Sequence, residues 1–327
     1  MSKLILSIAA ILLSCGITFS QEDGTDAATK TYGGEGTITF ANSGFGEYWS
    51  GGGLGSTTIA GILNTYSNKA YANGAAWDNS LRLDYGVAKV ENTNGENFTK
   101  SSDVFDFISK YGTPVKNSDK WFYSAAFNVL TQLTDTRTAF VEETGDYQQL
   151  IGVDEQGIYG TNQSGFLAPG DISLGLGFDY KPNDNFSAFV GPTSVKLRVI
   201  ADDAIANSLL FGNELGESTR FEAGASALAN YNTSLLTDDM LSFQTGLKLF
   251  SNYLEDPQNV DVNWNTVTSL NPWKFMTITY TTDLAYDDNK QFTTLANGEA
   301  IGGVTEGIQF RNVLGIGLIH KFGDSKE

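Results

Sequence analysis

Charged side chains in this chain recur at alternate positions of stretches whose other positions are apolar. Asp78, Arg82 and Asp84 do so in one stretch, and Asp106 and Lys110 in the next. Lys196 with Arg198, Arg220 with Glu222, Lys248, Asp261 with Asn263, Asp283 and Arg311 follow in later ones. A strand sends successive side chains to opposite faces, so these groups share a polar face set against an oily one. Such a set can pair into ladders that close an interior. It can also line a water-filled passage that selects solutes by charge. Nucleophilic catalysis fits poorly. The only histidine is His320, and period two sets it beside Phe322 on the oily face. No Ser-His-Asp set and no His/Cys metal cluster can be built from it. A carboxylate-pair hydrolase is the remaining enzymatic alternative, although no pair of acids stands out. No metal or cofactor is expected. The glycine-rich stretch Ser50–Gly55 lacks the Gly-Lys-Ser/Thr ending of a phosphate loop and is expected to be a hairpin loop.

These charges need strands to position them. The clearest unit is Asp171–Pro192. Ile172, Leu174, Leu176, Phe178 and Tyr180 fall on one face, and Asp171, Ser173, Gly175, Gly177 and Asp179 on the other. Pro182–Asn185 supplies turn chemistry, and another strand comes next. Twelve such strands are expected, near 36–46, 54–67, 75–90, 103–114, 120–134, 170–181, 186–200, 217–233, 240–254, 258–270, 274–287 and 306–322. Gly191-Pro192 should bulge or kink the seventh. Connections after strands two, four, six, eight and ten are short. Those after five (135–169), seven and eleven are long. Leu174, Leu176, Phe178, Phe243, Leu247 and Ile316 mark the oily face. Aromatics recur at strand ends: Trp121, Tyr123, Tyr180, Tyr231, Tyr253 and Tyr286.

Sorted loops, strands long enough to cross a bilayer and end-placed aromatics predict an all-β fold. It is a transmembrane, antiparallel, up-and-down β-barrel of twelve strands. The alternative is a soluble sandwich, which has no reason to sort its loops. Abundant Gly (36), Phe (21) and Tyr (14) with scarce Pro (6) agree with β structure. The net charge of −18 disfavours nucleic acid partners. The acid pairs Glu142-Glu143, Asp202-Asp203, Asp238-Asp239 and Asp287-Asp288 are expected in solvated loops.

Residues 1–20 have the pattern of an export signal, cleaved before Gln21. In an alternative reading, Leu12–Cys15 is a lipoprotein box with Cys15 as the lipid-bearing terminus. The remaining divisions are a flexible segment at 21–34, the barrel at 35–322 and a tail at 323–327.

The order of several motifs resembles a known family. They are Trp77-Asp78-Asn79-Ser80-Leu81, Ser109-Lys110-Tyr111-Gly112, Trp121-Phe122-Tyr123-Ser124-Ala125, Asp179-Tyr180-Lys181-Pro182-Asn183-Asp184, Leu249-Phe250-Ser251-Asn252-Tyr253-Leu254 and Asn259-Val260-Asp261-Val262-Asn263-Trp264. Together they resemble a Bacteroidota family of outer-membrane proteins, domain of unknown function 3078, over roughly Gly33 to Phe322. The resemblance implies an outer-membrane barrel and no substrate. The last strand, ending at Phe322, also resembles the assembly signal of outer-membrane proteins.

The functional expectation is a narrow channel or binding lumen for a small hydrophilic solute. The alternative is a structural or adhesive barrel with a plugged lumen, acting through its extracellular loops. Expected partners are outer-membrane lipids, the barrel-assembly machinery and the solute. Both termini are expected in the periplasm. Gly175 and Gly177 are expected to leave room in the interior, and Leu176→Arg is expected to damage assembly more than Gly175→Ser because only Leu176 faces lipid.

Overall fold

A computed structural model describes residues 29–43, 56–90, 98–141, 146–150, 161–207, 211–214, 216–236, 240–287, 289, 292–296, 299–305 and 308–323. The strands are β1 (Thr29–Ser43), β2 (Ser56–Ala70), β3 (Ala76–Val90), β4 (Thr99–Pro114), β5 (Trp121–Thr131), β6 (Thr136–Val141), β7 (Asp146–Leu150), β8 (Thr161–Ser164), β9 (Gly170–Asn183), β10 (Phe186–Val199), β11 (Thr219–Leu235), β12 (Leu241–Asn252), β13 (Val260–Trp273), β14 (Met276–Tyr286), β15 (Phe292–Ala296), β16 (Glu299–Thr305) and β17 (Gln309–Gly323). A short helix, α1 (Asp203–Ala206), lies between β10 and β11.

Twelve of these strands close into one barrel in the order β1-β17-β14-β13-β12-β11-β10-β9-β5-β4-β3-β2. Each pairs antiparallel with its neighbours in the chain, and β1 closes on β17. They are the twelve expected from the alternation. Strands β6–β8 form a separate three-stranded sheet inside the 135–169 connection, and β15–β16 a hairpin after β14. The alternation did not separate these from their loops. Among the described residues, the short connections and both barrel termini share one end, here called the turn end. The long connections share the other, the loop end.

Three boundaries differ from expectation. β1 starts at Thr29, so Thr29–Gly34 belongs to the barrel and not to a loose segment; its glycines pair with β2 and β17. Pro182 and Asn183 continue β9, and Asn271–Trp273 continue β13, so these two turns shrink to Asp184-Asn185 and Lys274-Phe275. Asn183 tightens the first by accepting from the backbone N–H of Asn185 and Phe186. Residues 1–28, the Ser50–Gly55 loop, Glu142-Glu143 and Asp238-Asp239 lie outside the described residues.

The Gly191-Pro192 irregularity has a large consequence. Pairing of β10 slips between Val190 and Thr193 on the β9 side, and between Gly191 and Ser194 on the β11 side. Before the slip, Phe189 and Gly191 are buried; after it, Ser194, Lys196 and Arg198 are. Strict alternation from Phe189 would have turned Lys196 and Arg198 outward. A bulge adds a residue to one strand and re-aims the side chains beyond it. Gly177 makes this possible, because a Cβ there would strike the Val190 carbonyl.

Candidate functional site

The two faces of the barrel wall invert the order of a soluble protein. Leu174, Leu176 (54% exposed), Phe178 and Ile316 stand exposed on the outer wall, and Phe243 and Leu247 share that face half-buried. Trp77, Tyr111, Trp121, Tyr123 and Trp273 are exposed around the turn end. Trp121 stacks on Tyr180 at 4.7 Å. His320 is exposed on this wall and stacks on Phe322. Meanwhile Asp84, Asp179, Arg198 and Glu222 are each only 1% exposed. Buried charges persist only when paired, and these are.

The pairs show which way the side chains point, because many join strands that are not neighbours. At the turn end, Lys110 of β4 holds Asp179 of β9 at 2.7 Å, and Lys181 of β9 pairs with Asp78 of β3. Gln244 of β12 donates to Glu35 of β1 at 3.1 Å. At mid-height, Arg82 of β3 reaches Asp283 of β14 (3.1 Å), and Arg311 of β17 reaches Asp84 of β3 (2.6 Å). Lys248 of β12 reaches Asp106 of β4 at 2.5 Å. In the barrel order those two strands are five steps apart one way and seven the other, which is close to a diameter.

Towards the loop end, Lys196 sits between Glu222 and Asp261, 2.5 Å from each, with Phe250 beneath its ammonium at 4.5 Å. Arg198 grips Asp171 through Nε and Nη2, and Asp287 through Nη2 at 2.6 Å. Arg198 and Arg220 are register partners on β10 and β11. Two guanidiniums side by side repel. Here they are separated by different acids, Arg220 taking Glu222 and Glu255. Both also donate to the 211–213 segment, Arg198 to the Phe211 carbonyl and Arg220 to that of Gly212. This segment and α1 form a small apolar cap from Ala168, Ile200, Ile205, Ala206 and Phe211.

All thirteen sequence-derived charged positions therefore take part in these interior pairs. Sequence reasoning placed Asp171 and Asp179 on the polar face without naming partners for them, and missed Glu35, Lys181 and Asp287. Asp287 is expected in a solvated loop from its sequence; instead it is buried against Arg198. The room expected over Gly175 and Gly177 is filled. Phe189, 1% exposed, packs there, and a Cβ on Gly175 would lie 2.8 Å from Ser194 Oγ and 2.9 Å from Ser226 Oγ.

A cavity of about 70 Å³ lies between the mid-height pairs and the loop-end pairs. Asn128, Asp171, Lys196, Lys248, Asp261 and Asp287 line it. Near the turn end, Tyr66 and Ser80 pair with each other on the inward face and are exposed. Among the described residues no group of His, Cys, Asp and Glu is arranged to hold a metal ion.

These features define a closed, next-neighbour antiparallel barrel with an ion-paired interior and an apolar outer wall. Residues 40–136 match the family described as Protein of unknown function (DUF3078), a shorter span than the motif resemblance. No curated protein matches the chain. The translocator domain of the autotransporter NalP from Neisseria meningitidis is similar over 98% of this chain and 95% of that one, at 8% identity and a TM-score of 0.34. An outer membrane channel from Pseudomonas putida F1 is similar over 93% of this chain and 98% of that one, at 10% identity and a TM-score of 0.32. Similarity at this level assigns no activity to this chain.

Proposed function

We propose that the chain is an outer-membrane β-barrel whose narrow lumen passes small hydrophilic solutes and stands shut at rest. The observation that carries this is the inversion of the wall. An exposed apolar belt on this scale is costly in water and suits lipid, while the charges are gathered inside. Closure leaves none of the twelve barrel strands with an unpaired edge, as a bilayer demands of a β protein. Aromatics around the turn end suit a headgroup interface. Short turns and both termini would then lie in the periplasm and the long connections outside, with the barrel-assembly machinery inserting the chain. Paired, buried charges support a closed resting state, since residues lining an open aqueous pore would be exposed.

Planar-bilayer recording of the refolded protein is the test. Rare, brief openings on a silent baseline are expected; a large steady conductance would refute closure. Insertion is checked separately. Boiled and unboiled samples should migrate differently on gels, and protein recovered soluble without detergent would refute the membrane reading. A probe at Asp184→Cys should resist impermeant thiol reagents in intact cells.

The sheet β6–β8 and the hairpin β15–β16 favour a second reading, in which the barrel is a plugged scaffold for loop-end surfaces. Deleting 136–164 would then abolish partner binding and leave any conductance intact.

A further inference from the structure

The mid-height layer contains two unlike crossings. Arg82, Asp84, Asp283 and Arg311 form a closed ring: each arginine contacts both acids, at 2.6 to 3.3 Å. Losing one contact leaves every member held by another. Asn265 adds a hydrogen bond to Asp283, and Ser102 one to Asp84. The other crossing is a single ion pair. Lys248 spans to Asp106, with Asn128 bonded to both partners, accepting from Lys248 at 3.3 Å and donating to Asp106 at 2.8 Å. A lysine head is a point charge on a flexible stem, whereas the arginine forks fix their geometry.

Space and a second partner lie on one side of Lys248. It lines the 70 Å³ cavity, and so does Asp261. Lys248 pairs in register with Asn263, and Phe250 with Asp261, so Asp261 is the diagonal same-face neighbour of Lys248 on its own wall. Diagonal positions are about 7–8 Å apart, within reach of a long side chain. Asp261 engages Lys196 through Oδ2. On the turn-end side of this layer, solvent reaches Tyr66 and Ser80. The layer therefore lies between that cavity and the solvent-reached turn end, and Lys248–Asp106 is its least-held member.

We propose that Lys248 is a latch: it swings from Asp106, across the lumen, to Asp261 on its own wall, and opens the lumen to small cations. The cation preference comes from the charge that the swing uncovers. Asp106 loses its counter-charge and faces the opened path beside the neutral Asn128, while Lys248 is neutralised on the wall. This inference rests on reading the lumen as a conduit.

The test is single-channel recording in KCl of the full barrel as wild type, Asp106→Asn, Asp261→Asn and the double variant. Arg82→Gln and Lys248→Ala serve as comparisons. Asp106→Asn removes the cross-lumen partner and should raise open-state occupancy on the order of tenfold. Asp261→Asn should make wild-type openings rarer and should reverse most of the gain in the double variant. Reversal potentials in a KCl gradient should show cation preference in wild-type openings, weakened in Asp106→Asn. The latch is overturned if Asp261→Asn changes nothing in either background, or if only Arg82→Gln conducts; the conduit would then open elsewhere. If every variant inserts, shown by heat-shifted migration and flotation with liposomes, yet none conducts, the conduit reading itself fails.

Discussion

The outer wall and the lumen are built by the same twelve strands under opposite rules. On the outer wall each residue meets solvent or lipid on its own terms. Leu174, Leu176 and Phe178 are exposed because of parity, and what they touch is apolar, as Phe178 touches Tyr123 of β5. In the lumen the described charges are each tied to a partner. Arg198 is tied to β9, to the end of β14 and to the cap; Lys196 is tied to β11 and β13. The outer wall is therefore additive and the lumen cooperative.

The contrast can be broken most severely from inside. Arg198→Met should cost about 3–5 kcal/mol, because it takes the buried guanidinium away from Asp171 and Asp287 and frees the cap. Urea unfolding of the barrel refolded in lipid vesicles measures this, and a near-neutral result would mean that water reaches the site. From outside, Leu176→Arg should cost about 2–4 kcal/mol, read as lost insertion into vesicles. Full insertion would remove Leu176 from the lipid-facing belt. Gly175→Ser probes the lumen without charge. Its Cβ would lie under 3 Å from Ser194 Oγ and Ser226 Oγ and 3.2 Å from the Phe189 ring, so these side chains must shift, and a loss of about 1–3 kcal/mol is expected in the same unfolding assay. This replaces the mild outcome that a roomy site would give, and unchanged stability would restore it. The smallest effect belongs to the girdle. Trp77→Phe removes the indole N–H bond to Ser109, at 2.9 Å, with part of an exposed ring system, and should cost about 1 kcal/mol. A loss several times larger would give the girdle a role beyond that contact.

The same contrast explains what was legible in the sequence. Strand existence and outward faces arise from local alternation, and all twelve barrel strands were found that way. Charges stand out against apolar neighbours in the same way, and the structure pairs them across the interior. Who pairs with whom was not legible, because partners such as Asp106 and Lys248 depend on closure geometry that no local window contains. Lys181 was hidden in an apparent turn and Asp287 in an acid pair resembling a loop. Glu35 was missed because Gly33, Gly34 and Gly36 around it look like a flexible linker. Gly33 and Gly34 have a positive reason to be there. A Cβ on Gly34 would lie 2.3 Å from the Asn64 carbonyl oxygen and 2.9 Å from the Phe322 ring, so β1 gives up side chains where β2 and β17 lie against it. The expectation for Lys196 and Arg198 was right only because of the bulge, which Gly191-Pro192 announced without stating its effect on facing.

The pairing of Gly33 with Gly323 sets an order in time. The strand that leaves the ribosome first among the twelve must find the one that leaves last. Until then every intermediate sheet, however many hairpins have zipped, carries two raw edges able to recruit a foreign strand. Local hairpins can form early, while this last ladder awaits a loop closure spanning almost the whole chain. Truncation at the C-terminus should thus do more than shorten one strand: it removes the step that ends the chain's exposure to aggregation.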